Sequence, residues 1–380
     1  MKIMLKYILG LFLFTGLIAC GEEDTPTKTE VDPIEDPISS DLLTSHEIVS
    51  AMSHGFNLGN TFDNGINSTS FSDIRPIINL YYTAGMKHIR IPITWMDRFT
   101  SNLADGNGNL NTDNERFKEL VKVIDYAISL DMYVVINTHH EHWLKDNYDG
   151  SKSYDDKFSN LWTNIATHFK DYPQTLIFEV LNEPEGKLGE WSNSGEWPNP
   201  SSGLALSYTR NVNQVGYDAI RATGGANETR LVMISPNGQG NEAQIDAVYP
   251  VVASLPGTGS DKYLSIQVHS YNPWAFCGQT GSNSAFPGNS VIAAAIKKTG
   301  THAELLGVPI NYGEFGVGRT SGTERNTDIV RGYYNTFSKT TLDENMSYSV
   351  WDDRGWFGLI NGSGSSYTFV NDIVPQMLTQ

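Results

Sequence analysis

The chain has 380 residues, of which 39% are hydrophobic and 18% are charged, a composition typical of a folded protein with a polar surface and not of a disordered one. Its 43 acidic residues outnumber the 26 basic ones, so the formal net charge is −17. This balance argues against nucleic acid or an anionic membrane surface as a partner, and it permits a neutral, polyhydroxylated substrate.

The first 20 residues have the pattern of a bacterial lipoprotein signal. A positively charged start and an apolar run from Ile8 to Ile18 lead into Leu17-Ile18-Ala19-Cys20, which resembles a lipobox. The apolar run is too short to cross a membrane as a helix. We therefore expect lipidation of Cys20, and the alternative is an ordinary signal peptide that is cleaved near Ala19.

Residues 21–41 read as an acidic linker. They are rich in Glu, Asp, Thr, Pro and Ser, and they have too few apolar side chains to order themselves by burial. We expect this disordered linker to hold one domain, residues 42–380, away from a membrane. The acidic residues 21–24 resemble the surface-export signals of some bacterial lipoproteins, so the expected location is the bacterial outer membrane or cell surface, facing outward. A periplasmic orientation stays open, and a lipidated Cys20 would leave Cys277 without a disulfide partner.

Apolar strand-like segments and helical segments alternate along the domain, which predicts a parallel sheet. Eight such units predict a closed (β/α)8 TIM barrel. The rival is an open doubly wound sheet, but no glycine-rich phosphate loop follows any strand. Four segments have apolar residues at helical period, namely Phe71–Gly85, Glu115–Leu130, Ser207–Ala222 and Thr327–Phe337. The predicted strands are Gly55–Gly59, His88–Pro92, Tyr133–Thr138, Leu176–Leu181, Arg230–Ser235, Tyr263–His269, Pro309–Gly313 and Ser347–Trp351.

Polar side chains stand at the carboxyl ends of these predicted strands, where barrel enzymes carry their active sites. Each residue alone could have a structural role, but their joint position at one end of one barrel predicts an active site. In chain order they are Asn57 and Asn60, Arg90, His139 and His140, Asn182 and Glu183, Ser235, His269 and Tyr271, Glu314, and Trp351 and Asp352.

Two of these side chains are glutamates, and a pair of carboxyls suits glycoside hydrolysis. One carboxyl must be protonated to assist the leaving oxygen, while the other must be ionised to attack or stabilise the anomeric carbon. Arg90 or His269 would keep Glu314 ionised, and this negative charge would raise the pKa of Glu183 so that it stays protonated. Trp351 offers an apolar face on which a pyranose ring can stack.

Seven motifs together resemble glycoside hydrolase family 5, the cellulase family, over about residues 45–360. The first motif and the paired histidines are most similar to its subfamily 4 of endo-β-1,4-glucanases and xyloglucanases. The motifs are Gly55-Phe56-Asn57-Leu58-Gly59-Asn60-Thr61, Ile89-Arg90-Ile91-Pro92, Asn137-Thr138-His139-His140-Glu141, Leu181-Asn182-Glu183-Pro184, Val268-His269-Ser270-Tyr271, Gly313-Glu314-Phe315-Gly316 and Val350-Trp351-Asp352.

This resemblance implies a role for each matched residue. Glu183 corresponds to the general acid/base and Glu314 to the nucleophile of a retaining mechanism. The remaining matches imply substrate-binding or orienting roles: Asn182 toward the sugar 2-hydroxyl, Arg90 and Tyr271 toward the nucleophile, Trp351 as stacking platform, and Asn57, His139, His140 and His269 around the cleaved sugar. The loop from Glu185 to Gly203 is long, so the shape of the cleft transfers less securely than the mechanism.

The expected activity is endo-acting cleavage of a β-1,4-linked glucan such as cellulose, mixed-linkage glucan or xyloglucan, by a monomer that needs no cofactor and no metal. Tryptophans spread over the predicted cleft loops favour a long open cleft; they are Trp95, Trp143, Trp191, Trp197, Trp274 and Trp356. The alternatives are a xylanase or mannanase, and a non-catalytic glycan-binding lipoprotein on the same fold. His140-Glu141-His142 resembles the metal pair of an amidohydrolase, although those histidines usually end the first strand, and no lysine at a strand end suits a Schiff-base aldolase.

Overall fold

Eight parallel strands close into a barrel in the computed structural model, which describes residues 42–97, 102–191 and 195–379. The expected signal segment, Cys20 and the linker lie outside the described residues. Each strand pairs with the next one along the chain and β8 pairs with β1, so the predicted TIM barrel is confirmed. The strands are β1 His54–Asn57, β2 His88–Ile91, β3 Tyr133–Asn137, β4 Leu176–Glu179, β5 Val232–Ile234, β6 Leu264–Ser270, β7 Ile310–Phe315 and β8 Ser347–Val350.

Helices surround the barrel, and four of them match the predicted helical segments. These four are α2 Phe71–Ala84, α3 Glu115–Ser129, α6 Gly203–Ala222 and α12 Asp328–Asp343; the other helices of six residues or more are α1 Ser45–Met52, α5 Lys152–His168 and α10 Asn289–Leu306. The shorter ones are α4 His142–Lys145, α7 Asn237–Gly240, α8 Ile245–Val248, α9 Trp274–Cys277, α11 Gly322–Arg325 and α13 Ile373–Met377.

The end of the barrel opposite the strand carboxyl termini is closed by α1. Thr44 and Glu47 start this helix with reciprocal hydrogen bonds between side chain and backbone, a capping box that satisfies backbone N–H groups at the helix end. Ile48, Val49 and Met52 then pack in one buried apolar cluster with strand residues that face the barrel interior, which are Val135, Ile177, Leu231 and Met233. The lower interior combines this apolar cluster with buried polar side chains such as His88, whose Nδ1 is 2.7 Å from the carbonyl oxygen of Met52 at the end of α1.

A bulge in β7 carries Glu314 into the strand, one residue beyond the predicted strand end at Gly313. Val268 pairs with Tyr312 and His269 pairs with Glu314, so the register skips Gly313. A bulge changes the direction in which the following side chain points. Because Glu314 stands inside a strand paired on both sides, its carboxyl is held more rigidly than one on a loop.

Two features of the described chain lie away from the barrel strands. A two-stranded antiparallel hairpin, β9 Ile360–Ser363 and β10 Ser366–Phe369, follows β8. Cys277 is a free, buried thiol. Burial raises its pKa to about 12, so the thiol is unreactive at neutral pH.

No helix in the described part of the chain is long and apolar enough to cross a membrane.

Candidate active site

An open cleft of about 480 Å³ lies over the carboxyl ends of the strands, and seven of the eight strands or their following loops contribute to it. Seven of the predicted site residues line the cleft: His139, His140, Glu183, His269, Tyr271, Glu314 and Trp351. The other lining residues are Asn60, Asp63, Trp191, Gly238, Gln239, Asn241, Asn272, Trp274, Gln279, Asp353 and Phe357.

Arg90 lies beneath the cleft and binds several side chains of the site. Each of its five N–H groups has an acceptor. Nε and Nη2 donate to the two carboxylate oxygens of Glu179 at 2.6 and 2.8 Å. Nη1 donates to Glu314 Oε1 at 2.7 Å and to Asn57 Oδ1 at 2.9 Å, while Nη2 also donates to Asn182 Oδ1 at 2.7 Å. The planar guanidinium therefore fixes the positions of four side chains that come from β1, from β4 and the residues directly after it, and from β7.

Glu179 is a site residue that the sequence reading does not include. It is fully buried within β4, and although burial would raise the pKa of Glu179, the paired Arg90 guanidinium lowers it below its ordinary value. A signal was present, because an acidic residue in an otherwise apolar strand, Leu-Ile-Phe-Glu-Val, requires a buried cation as its partner.

Two predicted substrate-binding residues lie beneath the cleft floor. Asn57 is 1% exposed, and its Nδ2 donates to the carbonyl oxygens of Gly313 at 2.8 Å and Ser349 at 3.1 Å. Because these bonds and Arg90 occupy its amide, Asn57 supports Arg90 and does not line the cleft, which corrects the expected substrate contact. Arg90 itself is fully buried and reaches a substrate only through Glu314.

Asn182 differs from Asn57 in keeping a free donor. Its Oδ1 accepts from Arg90, whereas its buried Nδ2 has no hydrogen-bond partner among the described residues. An unsatisfied buried amide N–H is costly, so a donor in this position is suited to a ligand oxygen.

Glu314 is held by one cation and one hydroxyl. Oε1 accepts from Arg90, and Oε2 accepts from Tyr271 Oη at 3.0 Å. Burial raises the pKa of Glu314, and the Glu183 carboxyl adds to this increase, while His269 and Arg90 act in the opposite direction. The direct ion pair with Arg90 makes Glu314 the carboxyl of the two that is ionised at neutral pH.

Glu183 has a different environment, and it holds its proton more tightly. It directly precedes Pro184, and its backbone φ of 44° lies in the left-handed region that non-glycine residues rarely adopt. Burial raises the pKa of Glu183 to about 8 with help from the Glu185 carboxylate, although 24% of the side chain still faces the cleft. Burial and the Glu185 carboxylate are therefore the main causes of the raised pKa of Glu183, ahead of the Glu314 charge on which the sequence-based argument relies.

The two carboxyls face each other across His269. One oxygen of Glu183, one oxygen of Glu314 and one ring nitrogen of His269 all lie within 4.8 Å of one another. His269 Nδ1 is 2.8 Å from Glu183 Oε1 and 3.7 Å from Glu314 Oε2. Retaining glycosidases separate their carboxyls by about 5–5.5 Å and inverting enzymes by about 6.5–9.5 Å, so oxygens within 4.8 Å of each other are compatible with the shorter, retaining spacing.

His139, His140 and Asp63 also place one ligand atom each within 4.8 Å of one another, which resembles a cation site. The Asn137 amide is fixed because its Oδ1 accepts from the Ile93 N–H at 3.0 Å, and its Nδ2 therefore donates to His139 Nδ1 at 3.1 Å. His139 must then carry its ring proton on Nε2, which leaves that nitrogen without a lone pair for a metal. The donor chemistry fits a sugar hydroxyl better than an ion.

In the possible metal pair His140-Glu141-His142, hydrogen bonds occupy the Glu141 carboxylate. Glu141 is buried and accepts from the Trp95 backbone N–H at 2.6 Å and from Trp143 Nε1 at 2.7 Å. Its carboxylate therefore holds the loop after β3 together. Among the residues that the structure describes, Glu141 and His142 do not line the cleft.

The six loop tryptophans divide into two groups. Trp191 and Trp274 line the cleft and are 52% and 58% exposed, so their faces are available to a ligand. The other four do not line the cleft: Trp95 is fully buried, Trp143 packs on Tyr154 and Lys157, Trp197 lies under Lys187, and Trp356 faces solvent elsewhere. The expectation of aromatic loops along the cleft holds for two of the six.

The sequence profile of the family described as cellulase, glycosyl hydrolase family 5, matches residues 52–354. Endoglucanase A of Clostridium longisporum is 31% identical over 372 residues, which cover 89% of this chain and 66% of that protein. Endoglucanase 1 of Ruminococcus albus is 27% identical over 360 residues and is covered to 82%.

A solved structure agrees with these relatives. A broad-specificity endoglucanase of glycoside hydrolase family 5, subfamily 4, from Clostridium longisporum superposes with a TM-score of 0.72 at 26% identity, over 89% of this chain and 98% of that one. The resemblance that the strand-end motifs indicate is thus found independently in the whole sequence and in the fold.

Proposed function

The chain belongs to glycosyl hydrolase family 5, the cellulase family, and we propose that it is a retaining, endo-acting hydrolase of β-1,4-linked glucans. The observation that carries this proposal is the pair Glu183 and Glu314 within 4.8 Å of each other, one with a pKa of about 8 and the other bound to Arg90. One protonated and one ionised carboxyl at this spacing are what double displacement requires.

In the first step, the Glu314 carboxylate attacks the anomeric carbon and the bond to the leaving sugar breaks. Glu183 gives its proton to the departing oxygen, which leaves as a hydroxyl group. Arg90 and Tyr271 hold the attacking carboxylate, and the unpartnered donor of Asn182 Nδ2 supports its proposed hydrogen bond to the sugar 2-hydroxyl. The products are a glycosyl ester on Glu314 and an ionised Glu183.

In the second step, water replaces Glu314. Once Glu314 is esterified, its negative charge is lost and the pKa of Glu183 falls, so Glu183 can accept a proton from the attacking water. The hydroxide adds to the anomeric carbon, the ester bond breaks, and Glu314 leaves as a carboxylate. Two inversions give retention of the anomeric configuration.

The polymer is proposed from the cleft and from the relatives. The cleft is open, and three of its lining residues are tryptophans. Trp191 follows β4, Trp274 follows β6 and Trp351 follows β8. Aromatic faces at three strand ends of an open cleft suit a long chain that is cut internally. Both relatives described above are named endoglucanases, which favours a glucan backbone over xylan or mannan.

The experiment compares two signals during hydrolysis of a soluble β-1,4-glucan such as carboxymethyl cellulose. Endo cleavage lowers viscosity early, well before reducing ends accumulate. Release of glucose from chain ends without a fall in viscosity would contradict the proposal. Xyloglucan, mixed-linkage glucan, xylan and mannan, assayed side by side, identify the preferred backbone, and no hydrolysis of any of them would favour the glycan-binding alternative.

We also propose that the protein is a monomer anchored to a bacterial outer membrane or cell surface through lipid on Cys20. The support is the sequence alone: the apolar run and lipobox-like Leu17-Ile18-Ala19-Cys20, followed by the acidic linker. Anchoring would hold the cleft near polymers outside the cell.

A further inference from the structure

A buried glutamine lies directly below His269 and has no part in the mechanism above. Gln267 is on β6 and is fully buried; its Nε2 is 2.8 Å from His269 Nε2, and its Oε1 is 3.0 Å from Ser235 Oγ. Gly313 on the neighbouring strand β7 leaves the space that this amide occupies. Any other residue there would clash with it, because a Cβ on Gly313 would lie 1.6 Å from Gln267 Nε2. The polar pair is therefore built into the barrel.

His269 has a single ring proton, and its surroundings decide where that proton is. Burial lowers the pKa of His269 to about 4, so the ring is neutral at neutral pH. Nδ1 faces the oxygens of Glu183 at 2.8 Å and Glu314 at 3.7 Å. A lone pair on Nδ1 would be repelled by the ionised Glu314 carboxylate, so the proton belongs on Nδ1 and Nε2 is left as an acceptor.

Gln267 supplies the donor that the bare Nε2 needs. Its amide N–H points at His269, and its carbonyl oxygen takes the hydroxyl proton of Ser235. The hydrogen bonds then run in one direction, from Ser235 through Gln267 and His269 to Glu183. With the amide reversed, His269 would carry its proton on Nε2, and its bare Nδ1 would accept the proton of Glu183.

We propose that Gln267 is a positioning residue that fixes the tautomer of His269, so that Glu183 keeps its transferable proton on Oε2. Oε1 accepts from His269, whereas among the residues that the structure describes no hydrogen bond engages Oε2. The proton is thereby held on the oxygen that is available to the leaving group. This inference rests on the proposed function of Glu183 as the acid.

The kinetic test replaces Gln267 by a residue of similar length that cannot donate. Gln267→Met should lower kcat/KM for aryl cellobiosides with poor leaving groups by about 10- to 100-fold, part of the 10²- to 10⁴-fold that general acid–base catalysis contributes. For 2,4-dinitrophenyl cellobioside, which needs no acid, kcat/KM should change less than about threefold. The ratio is informative because kcat/KM reports only the steps through the first bond cleavage.

Matched variants separate this role from a structural one. Asn311→Leu removes a buried amide from the adjacent strand, where Asn311 bonds Ser347 and not His269, and it should lower kcat/KM for both substrates alike or for neither. Ser235→Ala should show the same leaving-group dependence as Gln267→Met, but more weakly. An equal loss of kcat/KM for both substrates in Gln267→Met, or no loss, would overturn the proposal.

A second measurement does not depend on activity or on any Gln267 variant. Nitrogen NMR of the ¹⁵N-histidine-labelled wild-type protein, with the His269 signals assigned by their loss in His269→Asn, should show a neutral ring protonated on Nδ1. A proton on Nε2 would overturn the tautomer assignment. If the wild-type protein hydrolysed no glycoside but His269 had the expected tautomer, the proposed function would fail while the hydrogen-bond chain stood.

Discussion

At the scale of single residues, the two glutamates differ because their neighbours differ. Glu314 has a cation at 2.7 Å, whereas Glu183 has none in direct contact and has the Glu185 carboxylate among the causes of its raised pKa. A carboxyl with a pKa near 8 holds its proton through the neutral range and loses it above. Activity should therefore decline on the basic side as Glu183 ionises.

Replacing Glu185 by glutamine tests this electrostatic origin. The Glu185 carboxylate raises the pKa of Glu183, whereas Lys145, the ion-pair partner of Glu185, lowers the pKa of Glu183. Glu185→Gln therefore removes the negative charge that raises this pKa and keeps the positive charge that lowers it. The basic limb of the pH profile of kcat/KM should lie near pH 8 in the wild type and at lower pH in the variant. Glu190→Gln, on the same loop but bonded to the Gly186 N–H, is the control and should leave the limb in place. If the basic limb of Glu185→Gln lies at the same pH as in the wild type or at a higher pH, this explanation is contradicted.

Residues at strand ends could be predicted because barrel geometry alone brings them together. Glu183, Glu314, His269 and Tyr271 meet in the cleft for that reason. The supporting residues inside the strands are harder to read, because their partners come from strands far apart in sequence. Gln267 illustrates this, since its bond to Ser235 joins positions 32 residues apart and neither residue type is unusual in a strand.

At the scale of elements, strands were predicted well because parallel barrel strands are continuous apolar runs. The bulge at Gly313 could not be predicted, since it depends on register against β6. Helix α5 has buried Phe158, Leu161, Trp162 and Ile165 at helical spacing, so its pattern was available. The hairpin β9–β10 also had a signal, because Gly364-Ser365 is a two-residue turn between its strands, but Gly362 and the serines leave those strands without an apolar run.

The loop from Glu185 to Gly203 brings Trp191 to the cleft, and this position predicts a contribution to polymer binding. Trp191→Ala should raise KM for long β-glucans by about 3- to 10-fold, equivalent to roughly 0.7–1.4 kcal/mol, and should leave kcat/KM for a short aryl cellobioside nearly unchanged. Trp197→Ala is the matched control, since Trp197 lies on the same loop under Lys187 and outside the cleft. Equal effects of the two substitutions would show that Trp191 acts through loop stability and not through substrate stacking.

At the scale of the whole molecule, the net charge of −17 and the open cleft are compatible with a neutral polymer as the substrate. The barrel closes one end with α1 and presents the cleft at the other, so a long chain can lie across the open end without entering the protein. This arrangement suits internal cleavage.

Anchoring is a separate prediction at this scale. In its source cell, Cys20→Ser should move the protein from the membrane fraction to the soluble fraction, because a signal without its cysteine cannot be acylated. A single acyl chain binds membranes only reversibly, so we expect more than one on the wild type. A Cys20→Ser protein that remained in the membrane fraction would rule out the lipid anchor, and it would leave the catalytic proposal untouched.

The central claim is that Glu314 forms a covalent bond with the substrate. A 2-deoxy-2-fluoro-cellobioside with a good leaving group tests it, because the fluorine slows both steps while the leaving group speeds the first, so the intermediate accumulates. Mass spectrometry should find one fluorocellobiosyl group per protein on the peptide that contains Glu314, and Glu314→Gln should remain unlabelled. A label on Glu183 or any other residue, or no label together with a first-formed sugar of inverted configuration, would contradict the account.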